Sequence, residues 1–208
     1  MALTHTQALI GLEQLYHAQP AATPWTPVTP YDIRSRREAE GQQPQLIADV
    51  LTPTKVLDYG CGFGFLVAFL AELGVDVSGY EPNLEPGKVP PYVRHLVTNQ
   101  KPQPAAYDLV ICREVLEHVP FRQVRGVISH LCALSTKYVY LTTRFNENPN
   151  AHLLEVQTSD NLDPTHITML TQAFARLLFV MEGFERRADL EQQLDWRGLN
   201  RVLVYERR

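Results

Sequence analysis

The stretch "VLDYGCGFGFLVAFLAELGVDVSGYEP", Val56 to Pro82, sets three glycines around one cysteine, with an apolar run on either side and a glutamate near its end. The run before Gly60 reads as a strand and the run after Gly64 as a helix, so the glycines occupy a strand-to-helix turn. At such a turn backbone N–H groups converge on the carboxyl edge of a sheet, and residues without a Cβ let a ligand approach them. The spacing is Asp58-x-Gly60-x-Gly62-x-Gly64, which is not the Gly-x-Gly-x-x-Gly of dinucleotide sites. Asp58 would repel a pyrophosphate and suits a cationic or hydroxylated ligand. Glu81 follows about 20 residues after the turn, where an acid can accept both hydroxyls of a ribose. A glycine turn with no ligand is the plain alternative, and the acid at this distance weighs against it.

Working outward, strands and helices alternate from Lys55 onward. Strands are expected at 55–59, 75–80, 92–97, 107–112, 136–142, 184–189 and 200–206, and helices at 63–73, 119–133 and 168–181. This alternation favours an α/β fold with a mostly parallel sheet covered by helices on both faces. "EQQLDWRGLN" is too short for the usual crossover helix, so the last two strands are expected to form an antiparallel hairpin at a sheet edge. The expected architecture is a Rossmann-like sheet of seven strands with the final strand reversed.

Residues 1–44 read as an appendage and 45–208 as the main domain. A short amphipathic helix is expected at 3–18, followed by an extended linker through Pro20, Pro24, Pro27 and Pro30. The appendage would serve as a lid or an interface, and "PQLIADVL" from Pro44 would pack against the first strand.

Composition narrows the function classes. Hydrophobic residues at 45% and charged ones at 20% fit a globular domain. A net charge of -4 gives no general attraction to nucleic acid or to an anionic membrane. No basic segment and long apolar run open the sequence, so no secretory leader is expected, and no apolar stretch is long enough for a membrane span. Cys61, Cys112 and Cys132 are scattered without metal-finger spacing, and a cytoplasmic location is expected.

At "LDYGCGFG", "GYEP" and "YDLVICREVLEHVP" the chain closely resembles the class I S-adenosylmethionine-dependent methyltransferases, over roughly residues 45 to 208. The last of these motifs is similar to the small-molecule and glycan branch. The resemblance implies that Asp58, Gly60, Cys61, Gly62 and Gly64 line the methionine portion of S-adenosylmethionine. Glu81, Pro82 and Asn83 would surround the ribose, Cys112 and Arg113 would contact the cofactor from the end of the fourth strand, and Thr98 and Asn99 fall at the adenine position. Cys61 is expected to fill space beneath the helix rather than react.

"REVLEHVP" places Glu114, Glu117 and His118 at the exit of the fourth strand. Side chains three apart share a face of a helical turn, so the two carboxylates and the imidazole can converge. With His166 from "NLDPTHITM" they could hold Mg or Mn, which would lower the pKa of an acceptor hydroxyl. A similar Glu-x-x-Glu-His run with a later His binds metal in the small-RNA 2′-O-methyltransferases. Two other readings stay open: Glu117 and His118 cap a helix and line the pocket, or His118 or His166 is a general base without metal.

The run from Thr142 to His166 is long for an irregular connection and reads as a substrate-binding wall, with His152 and Glu155 solvated. Arg113 and Arg144 follow strand ends and could meet an anionic substrate group, while Arg34, Arg36 and Arg37 face solvent. The expected activity is O-methylation of a small hydroxylated molecule such as a sugar or glycan. The alternatives are metal-dependent 2′-O-methylation of an RNA end and a non-catalytic module that binds S-adenosylmethionine. An acidic pI near 6.0 weighs against RNA.

Overall fold

The computed structural model describes residues 37–38, 40–84, 87, 89–147 and 166–208. The expected helix at 3–18, the proline linker, Arg34, Arg36, His152, Glu155 and Asp163, a further candidate ligand in "NLDPTHITM", lie outside the described residues.

Seven strands form one sheet in the order β3-β2-β1-β4-β5-β7-β6. They are β1 (Lys55–Tyr59), β2 (Asp76–Tyr80), β3 (Val97–Thr98), β4 (Tyr107–Arg113), β5 (Ser135–Thr142), β6 (Phe184–Arg186) and β7 (Val202–Arg207). Parallel pairing joins β1 to β2 and β4, and β4 to β5. Only β7 runs antiparallel to its neighbours β5 and β6, so the reversed final strand is as expected.

The central strands are apolar on both faces, and successive side chains take opposite sides. Val56, Leu109, Ile111, Tyr140 and Val204 pack with α1 (Gln43–Leu51), α2 (Phe65–Glu72) and α5 (Ala188–Leu194). Leu57, Val110, Cys112, Val139 and Leu203 pack with α3 (Phe121–Leu134) and α4 (Gln172–Met181). In α3 the buried set Val124, Ile128, Leu131 and Cys132 follows helical spacing, which gives one apolar stripe for the sheet. Among the described residues no helix is long and apolar enough to cross a membrane.

Three elements differ from the sequence expectation. The strand expected at 92–97 is only Val97–Thr98, because a 3-10 turn occupies Arg94–Leu96. Pro90 seeds that turn: its carbonyl accepts from the N–H groups of Val93 and Arg94, each at 3.1 Å. The last two strands do pair antiparallel at a sheet edge, but their connection carries α5, whose Leu190 and Leu194 are one turn apart and both buried. Finally, α4 starts at Gln172 rather than 168, since the Thr171 side chain caps it by accepting from Phe174 N at 3.0 Å.

Candidate active site

The glycine turn leaves β1 with Gly60, Gly62 and Gly64 all at positive φ. Gly60 N and Cys61 N both donate to Tyr80 O, at 2.7 and 3.2 Å, which ties the turn to the end of β2. A Cβ on Gly60 would meet a Val115 methyl at 2.5 Å, so the missing side chain lets the exit of β4 pack directly on the turn. Glu81 is half-buried at the end of β2 and holds two backbone N–H groups, Gly62 through Oε2 and Asn83 through Oε1, each at 3.1 Å. Each carboxylate oxygen keeps a further lone pair for a diol. Pro82, Asn83, Thr98 and Asn99 are exposed beside it. Cys61 Sγ lies where a Cβ on Gly79 would sit, and burial pushes its thiol well up, so the side chain fills space against β2.

Asp58 is buried at the base of the turn, and burial pushes its carboxyl up to about 7 against the pull of Arg113. Arg113 ends β4 and pairs with Glu40 at 2.6 Å, and burial of Glu40 to 6% exposure makes this an interior ion pair. Nothing in the sequence pairs residues so far apart, and Glu40 went unnoticed for that reason. Cys112 keeps its side chain in the core with Leu57 and Val110, so only its backbone borders the ligand edge.

Beyond Arg113 the chain turns sharply. Glu114 takes φ +50 and its side chain is exposed, while a 3-10 turn over Leu116–His118 carries Glu117 inward to 1% exposure. Thr143, just past β5, donates its hydroxyl to Glu117 Oε2 at 2.7 Å, whereas Oε1 is buried without a hydrogen-bond partner. Burial and the adjoining Glu114 push the Glu117 carboxyl up to about 8. His166 arrives from far along the chain through backbone bonds: Ile167 N and Thr168 N donate to Glu117 O at 2.8 and 3.0 Å, and Thr168 Oγ1 to Val119 O at 2.5 Å. The His118 and His166 rings then stand 4.8 Å apart.

Ligand atoms of Glu117, His118 and His166 all lie within 4.8 Å of one another. Glu114 is not in this group. One carboxylate oxygen and two imidazole nitrogens suit a divalent ion, which would hold the Glu117 carboxyl in its ionised form. Thr143 escaped the sequence reading because its role exists only once β5 and the turn are side by side.

A seven-stranded mixed sheet with this strand order, and a glycine turn closed by Glu81, define a class I S-adenosylmethionine-dependent methyltransferase. The profile of a family described as a methyltransferase domain matches residues 27–199, and the chain belongs to that family. It is 38% identical over 117 residues to a ubiquinone biosynthesis O-methyltransferase of Photorhabdus laumondii, covering 49% of this chain and 47% of the relative. A second such enzyme, of Pectobacterium carotovorum, is 35% identical over 124 residues, covering 52% and 50%. The chain thus spans about half the length of the curated relatives it matches. Among solved structures, the magnesium protoporphyrin IX methyltransferase of Synechocystis with bound S-adenosylhomocysteine superposes with TM-score 0.59 at 19% identity, covering 96% of this chain and 94% of that one. At that identity the likeness speaks for the fold.

Proposed function

We propose that this methyltransferase acts on an oxygen of a small hydroxylated acceptor, with Glu117, His118 and His166 acting on the hydroxyl. The observation that carries this reading is the docking of His166 beside His118 by the two bonds to Glu117 O, against an exit loop that packs on the glycine turn. The O-methyltransferase names of the matched relatives support oxygen as the acceptor atom. A sugar or glycan hydroxyl is the acceptor class expected from the sequence, and a vicinal diol would present two oxygens to the group.

S-adenosylmethionine supplies a sulfonium methyl for in-line attack by the acceptor oxygen. Glu81 would hold the ribose, and Asp58 with the turn backbone would face the methionine portion. The protein's share is to align the two reactants and keep water out, which is where most of the rate of such a transfer originates. A divalent ion held by Glu117, His118 and His166 would supply a lower hydroxyl pKa and a fixed direction of attack. In a second reading, favoured by the close approach of the two tilted rings, one imidazole takes the hydroxyl proton directly. Metal-dependent methylation of an RNA end could use the same residues, and the net charge of -4 opposes it.

The test is turnover on a panel of hydroxylated acceptors, before and after chelation, with cofactor affinity measured alongside by calorimetry. Activity lost to chelator and restored by Mg or Mn supports the ion. Chelator-resistant turnover that fails in His118→Ala supports the base. Full turnover in both His118→Ala and His166→Ala removes the group from the chemistry.

A further inference from the structure

On the other side of the β4 exit lies a cavity of about 280 Å3, bordered by Glu40, Arg113, Glu114, Asp195, Trp196 and Arg201 among others. Its walls come from the residues just before α1, the ends of β4 and β5, and the loop between α5 and β7. Three contacts hold the segment leading into α1 against the other walls. Glu40 pairs with Arg113 at 2.6 Å, and Gln43 Nε2 donates to Leu194 O at 3.3 Å. Between them the Trp196 indole lies on the backbone of Gly41, where a Cβ would meet the ring at 2.5 Å and where φ is +55.

The charges of the cavity do not all cancel locally. Glu40 and Arg113 answer each other. The Asp195 carboxylate accepts from Leu199 N and Asn200 N, at 3.2 and 2.6 Å. Arg197 lies over the Trp196 ring at 4.8 Å. Arg201 is half-buried and makes no ion pair with any of the described residues. A guanidinium partly withdrawn from water gains most from an anion that arrives with its own oxygens in a plane. Its place is also suggestive. Val202 is opposite Thr142 in the β5–β7 register, so Arg201 stands level with the sheet edge from which Glu114 and Glu117 project. Glu114 borders both the cavity and the Glu117 carboxylate.

We propose that this cavity receives an anionic end of the methyl acceptor, a carboxylate or a phosphate, and that Arg201 is the residue that recognises it. The acceptors are then hydroxylated acids or hydroxylated phosphates rather than neutral polyols. This rests on the methyltransferase reading above and narrows its substrate class. The clasp through Glu40, Gly41 and Gln43 is what gives the cavity its outer wall.

The experiment loads the full chain with S-adenosylhomocysteine and titrates glucose, glucuronate and glucose 6-phosphate by calorimetry, with catechol and 3,4-dihydroxybenzoate as a second matched pair. At least one anionic probe should bind ~10-fold or more tightly than its neutral partner, the order of a charge-assisted hydrogen bond. The two acid groups, carboxylate and phosphate, are separated by which of the charged sugars gains more. Arg201→Ala and Arg201→Gln should both erase the advantage, Arg201→Lys should keep part of it, and affinity for S-adenosylmethionine should not move in any of the three. Equal affinity for charged and neutral members, no binding by any anionic probe, or an advantage that survives both neutral variants overturns the proposal. If methyl transfer proceeds while the anion preference is missing, only this inference falls; if the wild-type chain does not bind S-adenosylmethionine, the functional reading falls with it.

Discussion

The two halves of the active-site edge are built in opposite ways. The half proposed for the cofactor is a single continuous unit, β1, the glycine turn, α2, β2 and Glu81, and its decisive bond joins Gly62 to Glu81 within that unit. The half proposed for the acceptor is collected from distant pieces: Glu40, the β4 exit, Thr143, the segment from His166 to Thr168, and the loop before β7. A local unit can be recognised from spacing alone, and it serves any acceptor. A composite half depends on long-range contacts, and each piece can change without disturbing the nucleotide site. That arrangement suits a fold that keeps one donor and varies its acceptors.

The largest expected effect would test whether the composite half holds the chemistry. His166→Ala should lower turnover by at least ~100-fold, the order for loss of a positioned base or a metal ligand. Affinity for S-adenosylmethionine should stay at the wild-type value, because no cofactor contact has been removed. An equal loss of cofactor binding would show that the two halves are not separable.

The same division explains what could be read from the sequence. The central strands were legible because their apolar runs are buried on both faces, and the glycine turn because its motif is contiguous. His166 was a candidate from its residue type and the resemblance; the bonds from Ile167 and Thr168 that bring it to His118 have no sequence signature. Glu114 was grouped with Glu117 by helical spacing, but its residue is left-handed at φ +50 and the helical turn starts later, so the side chain lies outside the ligand group. Glu40 and Thr143 were invisible because each acts on a partner fixed only by the sheet.

Next in size is the ion pair that ties the segment before α1 to β4. Glu40→Gln should cost about 2 kcal/mol of stability, the order of a buried charge-assisted hydrogen bond. Denaturant unfolding measures it, and a cost near zero would mean that the clasp contributes nothing to holding the cavity wall. On the cofactor side, Glu81→Ala should weaken S-adenosylmethionine by at least ~1.5 kcal/mol, roughly tenfold, through loss of the ribose acceptor. Calorimetry decides this, and an unchanged affinity in the folded variant would remove Glu81 from the ribose.

The smallest effect is electrostatic and sits where the two halves touch. Burial raises Asp58 from 3.8 to about 7, with Arg113 opposing the shift and Glu40 and Glu81 adding to it. A carboxyl raised in the folded state stabilises the fold while protonated. That contribution is complete below the unfolded value and is lost as pH rises through the folded one. The cofactor-free protein should therefore lose thermal stability between about pH 4 and pH 8, and Asp58→Asn should flatten the lower part of the slope. Glu117, raised from 4.5 to about 8, would account for what remains. Cationic S-adenosylmethionine bound beside Asp58 favours the ionised form, so its affinity should rise with pH across the same window. A melting profile that is level with pH, or one that Asp58→Asn leaves unaltered, would place the charge of the turn elsewhere.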